Sequence, residues 1–322
     1  MTNIRSASSA YIIYGYESVF QGGASIFNLF GKRQNGSGLE WSNNQLALPN
    51  LDTPEIKNFL YNKNEGTISM DYVLSNPWWL TAILNDYYNN PVLSNGVYTY
   101  QWDSDPSVNL NIKQPKTINI HIGERLDTAE LRSALGCVTP TLTIKSSINN
   151  PIEITQTLDW GKESPLSTSL DNSLPTDANF TPYSFVHGDF ELPNSTILSN
   201  VQDFDITFDT GAELIWGHGS PDATDRYNKI LNMTGRVQIA LKDSTLLQDV
   251  INRSELATLR IFISNGLSGA NLKSIELLFT GVGISSHRTI GLAPGELLLE
   301  EISFQCRNIL ATAKNSISPP PY

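Results

Sequence analysis

Apolar and polar residues alternate with a period of two along most of this chain. That rhythm restricts it to pleated strands that bury one face. Thr67-Ile68-Ser69-Met70-Asp71-Tyr72 and Thr141-Leu142-Thr143-Ile144-Lys145 show it, as do Asp203-Phe204-Asp205-Ile206-Thr207-Phe208 and Arg236-Val237-Gln238-Ile239-Ala240-Leu241. Glu301-Ile302-Ser303-Phe304-Gln305-Cys306 repeats it near the C-terminus. One-sided burial of this kind predicts antiparallel sheets and a mainly β fold.

Two segments change to helical spacing. Asn76 can cap a helix with Pro77 at its first position, and Trp79, Leu80, Ile83, Leu84 and Tyr87 then form one apolar stripe, predicting a helix over 76–88. Asp243 with Leu246, Leu247, Val250 and Ile251 predicts a second over 243–252. The stripes match position for position at a separation of 167 (246 − 79). Each helix follows a strand opening on a glycine, Gly66 or Gly235, and each strand follows a long polar loop. The order strand, strand, loop, strand, helix, strands thus occurs twice. Between the copies, Gly161 to Pro182 is rich in Ser, Pro, Asp, Asn and Thr, as a linker would be. The expectation is two tandem β-sandwich domains, 1–162 and 180–322, each with one short helix, joined by a linker over 163–179.

Charge and motif content narrow the function. The chain has 322 residues, 21 basic against 32 acidic, for a net charge of −11. No basic run is present to neutralise phosphates, so tight nucleic-acid binding is not expected. Charged residues are 16% of the chain, below the ~25% of an average soluble protein. Asn, Ser and Thr take their place, which suits packing between β-rich subunits. Cys137 and Cys306 form no recognisable framework, and His121, His187, His218 and His287 have no metal-ligand spacing. Neither a metal nor another cofactor is expected. There is no nucleophile elbow or phosphate loop, and adjacent Glu300 and Glu301 must point to opposite faces of a strand. Catalysis is therefore not expected. Met1 to Ala10 lacks an apolar core and no apolar run reaches ~20 residues, so neither a signal peptide nor membrane binding is expected.

Several short motifs carry a family likeness. Tyr14-Gly15-Tyr16-Glu17-Ser18-Val19-Phe20 resembles the N-terminal motif of tail tube proteins of long-tailed phages and archaeal tailed viruses. So do Ala134 to Ile144 with the strand ending at Asp159-Trp160, the segment Thr181 to Gly188, and the style of Ile275 to Cys306. The resemblance implies a structural subunit in the virion tail, assembled in the host cytoplasm, whose sheets join those of its neighbours into a barrel. Rings stack into a tube through which genomic DNA passes without tight binding. Tape-measure and terminator proteins are the implied further partners. Simple members carry one copy of the fold and form hexamers, so a doubled chain implies trimeric rings with pseudo-sixfold symmetry.

Within that reading, Asp71, Glu153, Asp203, Asp205 and Glu301 are candidate lumen-facing acids, because they are the outward members of alternating strands. Asn43–Asn64 and Gly211–Asn232 are candidate ring-stacking loops, with Gly217, His218, Asp222 and Asp225 as the contact residues and the arm Met1–Tyr11 beside them. Trp78 and Tyr88 fall off the helical stripe and are candidates for a subunit interface. The rival reading is a carbohydrate-binding β-sandwich module of a virion surface protein, built on exposed aromatics.

Overall fold

The computed structural model describes residues 10–30, 33–36, 40–42, 46–49, 56–60, 62–84, 91–105, 115–124, 131–148, 150–166, 182–192, 196–198, 200–240, 255–291, 293 and 297–316. The first part of the chain supplies β1 (Ala10–Tyr16), β2 (Asn28–Leu29), β3 (Arg33–Gly36), β4 (Glu40–Ser42), β5 (Leu46–Pro49), β6 (Ile56–Leu60) and β7 (Glu65–Val73). After α1 (Trp79–Leu84) come β8 (Val92–Ser94), β9 (Val97–Asp103), β10 (Ile118–Glu124), β11 (Leu131–Cys137), β12 (Thr141–Ser147), β13 (Glu153–Trp160) and β14 (Lys162–Leu166). The second part supplies β15 (Ser184–Leu192), β16 (Thr196–Ile197), β17 (Val201–Asp209), β18 (Glu213–Trp216), β19 (Ala223–Tyr227) and β20 (Asn232–Ala240). It ends with β21 (Glu255–Ser264), β22 (Ser274–Ile290) and β23 (Leu299–Asn315).

The fold is mainly β, as the alternation predicts, and every described strand pairing is antiparallel. A continuous strip of eight strands runs β4-β7-β13-β12-β17-β20-β23-β22. Its first four strands come from one half of the sequence and its last four from the other, joined where β12 pairs β17 over seven positions, Thr141↔Asp209 to Ser147↔Asp203. Two five-strand arrays flank it. One runs β14-β11-β10-β1-β2 and the other β23-β22-β21-β15-β16. The long strands β22 and β23 serve both layers: 274–283 pairs with β21, while 299–306 pairs with β20.

The two halves repeat one strand order, four strands in the strip and five in the flank. Local chemistry repeats too. Gly136 (φ 66°) ends β11 before the chain enters the strip, and Gly281 (φ 62°) does the same within β22. Only glycine takes that left-handed bend without strain. Gly66 lies opposite Trp160, and a Cβ there would come 2.4 Å from the indole. Gly235 lies opposite Phe304, and a Cβ there would come 2.3 Å from the ring. Each glycine lets a large aromatic lie flat across the strand.

The halves also differ. Strand β9 crosses from the first half to pair with β23 of the second, Asp103↔Leu310 to Tyr98↔Asn315, and covers that edge. Among the described residues β14, the corresponding edge of the first flank, has no such partner. The expected linker over 163–179 therefore begins as strand: Leu131↔Leu166 to Leu135↔Lys162 pair in register. Residues 167–181 lie outside the described residues.

Asn76 behaves as expected, its side-chain oxygen accepting from the Trp78 backbone N–H at 3.1 Å. All six residues of α1 are buried, among the described residues the one α-helix. The expected continuation to 88 and the whole second helix over 243–252 lie outside the described residues. Trp78 departs from expectation: it is 3% exposed and meets Tyr100 edge-on at 5.0 Å. A backbone C=O at Trp78 also accepts a hydrogen bond from the Tyr16 hydroxyl. It lies outside the helical stripe, but β9 and β1 pack on that side of the helix and close over it. Subunit contact by Trp78 is thereby ruled out.

One core fills the space between strip and flanks. Phe208 of the strip lies 6.4 Å from Phe279 of the flank, Phe190 lies 4.9 Å from Phe204, and Trp79 lies 5.9 Å from Phe208 across the join of the halves. Each fully buried aromatic removes some 150–250 Å² from water, the dominant favourable term in such a core.

Candidate assembly surface

The face of the strip turned away from the core is mainly polar, with Ala240, Leu299 and Ile290 as apolar neighbours at one corner, because its strands alternate and one face is packed on the core. Thr143 and Thr207 hydroxyls meet across the join at 2.9 Å. Asp71, Glu153, Asp203, Asp205 and Glu301, the five acids singled out by alternation, all belong to this face, opposite the buried Met70, Ile154, Phe204, Ile206 and Ile302.

Alternation did not reveal how these acids are partnered. Arg236 of β20 collects three of them: its Nε donates to Asp205 at 2.6 Å, Nη1 to Glu301 at 3.0 Å and Nη2 to Asp203 at 3.1 Å. Glu301 also accepts from Gln238 at 2.8 Å. The Gln238 bond, followed by Arg236, holds the Glu301 carboxyl below the usual carboxylate range. Partial burial raises Asp203, with Arg236 pulling the other way. Lys145 stands 3.7 Å from Glu153, and the Thr155 hydroxyl donates to Asp71. Cross-strand register creates these groupings, since Lys145 lies opposite Asp205 and Asp205 opposite Arg236. Among the described residues, the outward-facing acids of the strip, Glu40, Glu65, Asp71, Glu153, Asp159, Asp203, Asp205, Asp209 and Glu301, nevertheless outnumber its outward-facing bases Lys145, Arg236 and Arg288, nine against three (3 − 9 = −6).

Glu300 and Glu301 do point apart. Glu300 enters the core, 4% exposed, and meets His287 Nε2 at 3.0 Å. The corresponding place in the first half holds neutral groups: Gln156 accepts from the Tyr72 hydroxyl at 2.8 Å and donates to Thr139 at 2.9 Å. Among the described residues no cluster of three His, Cys, Asp or Glu side chains could hold a metal ion.

The expected stacking loop Gly211–Asn232 is the β18–β19 hairpin, and its base is engaged within the chain. The Trp216 indole N–H donates to the Asn64 carbonyl at 3.1 Å, and Lys63 stands 4.4 Å over its ring. Asn64 donates to Asp222 at 2.8 Å, and the Ala223 backbone N–H to Gly161 at 3.1 Å. Asp222 is therefore turned towards the first half. Gly217 packs against Thr224, whereas His218 and Asp225 are exposed. The first-half counterpart is the β5–β6 hairpin within Asn43–Asn64, of which the backbone pairing is described. The arm before Ala10 lies outside the described residues.

A residue that sequence reasoning passed over is Glu17. Its carboxylate accepts from the Thr117 hydroxyl at 2.7 Å and from the backbone N–H groups of Gly136 and Gln21, both at 3.1 Å. It thus pins the end of β1 to the bend after β11. Burial raises its pKa despite these bonds.

The phage tail tube protein family model matches residues 62–308, spanning both halves of the strip. The chain belongs to this family. It is a structural tail tube subunit, with a place in the virion tail. No curated protein matched the chain in a sequence search. Among the described residues no helix is long and apolar enough to cross a membrane.

Proposed function

We propose that copies of this chain close into rings, three chains to a ring with pseudo-sixfold symmetry, and that stacked rings enclose a channel for genome delivery. The observation that carries this reading is the eight-strand strip. One face is packed on a core, the other is mainly polar with an excess of acids, and each end strand, β4 or Ser286–Ile290 of β22, pairs in the ladder with one described strand, β7 or β23. A bare edge invites another strand, and closure of a sheet on itself removes every edge. Two domains, 1–162 and 180–322, descend in this reading from one duplicated unit. The repeated strand order and the matched Gly66–Trp160 and Gly235–Phe304 pairs support that.

The polar face becomes the channel wall, with Asp71, Glu153, Asp203, Asp205 and Glu301 on it. An acidic wall repels phosphates and leaves DNA free to move, whereas a basic one would hold it through counterion release. The tip of the β18–β19 hairpin, around His218 and Asp225, the β5–β6 hairpin and the arm Met1–Tyr11 make ring-to-ring contacts. Tape-measure and terminator proteins meet the ends of the tube, and assembly takes place in the host cytoplasm.

Electron microscopy of the purified chain tests this. Rings or tubes with three chains per ring are expected. Six full-length chains per ring would refute the trimer, and separate globular particles at all concentrations would refute self-assembly.

A further inference from the structure

The join inside the chain specifies the join between chains. We infer that the free edge of β22, Ser286–Ile290, takes β4 (Glu40–Ser42) of a second copy as its strand partner, in the register of the internal β12–β17 pairing. This rests on the tail-tube reading above and names the surfaces that reading leaves open.

The register follows from the repeat. Gly66 lies opposite Trp160 and Gly235 opposite Phe304, so Trp160 corresponds to Phe304 and, four residues earlier, Gln156 to Glu300. Leu142 lies opposite Gln156 and Thr289 opposite Glu300. Thr289 therefore corresponds to Leu142, and Ile290 to Thr143. On the other side, Trp41 lies opposite Gly66 and Ile206 opposite Gly235, so Ser42 corresponds to Thr207. Thr143 faces Thr207 within the chain. Ile290 of one copy thus faces Ser42 of the next.

Two further observations point to the same occupant. Among the described residues, Ser286–Ile290 pairs only with β23, and Glu40 and Ser42 are exposed. Inside the chain, the β18–β19 hairpin covers Lys63 and Asn64, just before β7. The corresponding loop before β20 holds Ile230, which is 93% exposed. A second copy seated at the β22 edge brings its β5–β6 hairpin over Ile230, as the β18–β19 hairpin sits over Asn64. The neighbour thus covers the loop before β20 as the β18–β19 hairpin covers the loop before β7, and Ile230 gains a cover that its own chain does not supply. Three chains then supply 3 × 8 = 24 strands to a closed strip.

The test is a cysteine pair, Ser42→Cys with Ile290→Cys, in the full chain under mild oxidation. Directly opposed residues in antiparallel strands have Cα atoms about 4.5–5.5 Å apart, within disulfide range. The same two positions within one chain are seven strand spacings apart, roughly 33 Å along the sheet at about 4.8 Å each. The native thiols do not compete: Cys137 and Cys306 are buried, and burial pushes Cys306 up to about 12. Most chains should become linked into dimers and trimers on a non-reducing gel, while each single variant stays monomeric. Ser42→Cys with Ser286→Cys, four residues off register and about 13 Å away along the strand, should link at least tenfold less.

Hydrogen exchange on the unmodified chain guards against a variant that fails to fold. Amides within 286–290 should exchange at least tenfold more slowly in assembled tubes than in dispersed subunits. Tubes that form without the cross-link and without this protection would overturn the seam while leaving the tail-tube reading intact. Failure of the unmodified chain to associate at all would overturn both.

Discussion

The two halves of the strip share a strand order and fill it with different chemistry. In the first, Gly66 makes room for Trp160, and the nearby polar position is the neutral trio Gln156, Tyr72 and Thr139. In the second, Gly235 makes room for Phe304, and the polar position is His287 with Glu300. The aromatic-over-glycine contact recurs in both halves because it is set by shape: two strands cannot approach under a large ring if a Cβ intervenes. The polar position tolerates any set of side chains that satisfies its members, since the penalty falls on an unsatisfied buried group and not on a particular pair. Geometry is the repeated element, and hydrogen-bond chemistry is the variable one.

The strongest challenge to that comparison is removal of the two rings. Trp160→Ala and Phe304→Ala should each destabilise the subunit by about 3–5 kcal/mol, measured by urea unfolding. Similar losses are expected because the two rings occupy equivalent places. A loss under 1 kcal/mol at either position would separate the halves.

The polar positions should differ. His287→Ala leaves the buried Glu300 side chain without this hydrogen-bond partner and should cost about 2–3 kcal/mol, since a buried polar group loses its partner. Tyr72→Phe removes one hydrogen bond from a neutral amide that keeps Thr139, and should cost about 1 kcal/mol. Equal losses would mean that both positions are governed by packing alone.

The glycines sharpen the contact from its other side. Gly66→Ala and Gly235→Ala should each cost about 1–3 kcal/mol through overpacking. In a Trp160→Ala or Phe304→Ala background the matching glycine substitution should cost little, because the ring it would strike is gone. Full additivity in either double-mutant cycle would refute the contact.

The smallest effects concern pH, and two glutamates should respond with opposite sign. Glu301 is held low by Gln238 and Arg236, so its contribution is present above the usual carboxylate range and lost as pH falls through its folded value. Glu17 is raised by burial, so its contribution is greatest at low pH and lost as pH rises through its folded value. As pH rises from about 3 to 5, Glu301→Gln should lose stability relative to the unmodified chain, and as pH rises from about 4 to 6, Glu17→Gln should gain. Parallel slopes in urea titrations would contradict this.

Much of the strip was legible before any coordinates. Alternation located β7, β12, β13, β17, β20 and β23 and told which side of each is buried, so Asp71, Glu153, Asp203, Asp205 and Glu301 fell on one face. Gly66 in β7 and Gly235 in β20 marked a repeated element. The Arg236 hub was not legible, because its three acids come from two other strands brought alongside β20 by pairing. Trp78 was misjudged for the same reason. A helical stripe describes one face of one helix, and it is blind to β9 and β1 packing from another side.

The sequence by itself determined which residues can be strand and which face of each strand is wet, because side chains point alternately and burial selects one set. Only the tertiary structure decided that β12 pairs β17, that β9 crosses onto β23, and that the β18–β19 hairpin leans on Asn64. Backbone N–H and C=O groups are the same in every strand, so which edges meet is settled by long-range packing and register, which local pattern does not carry.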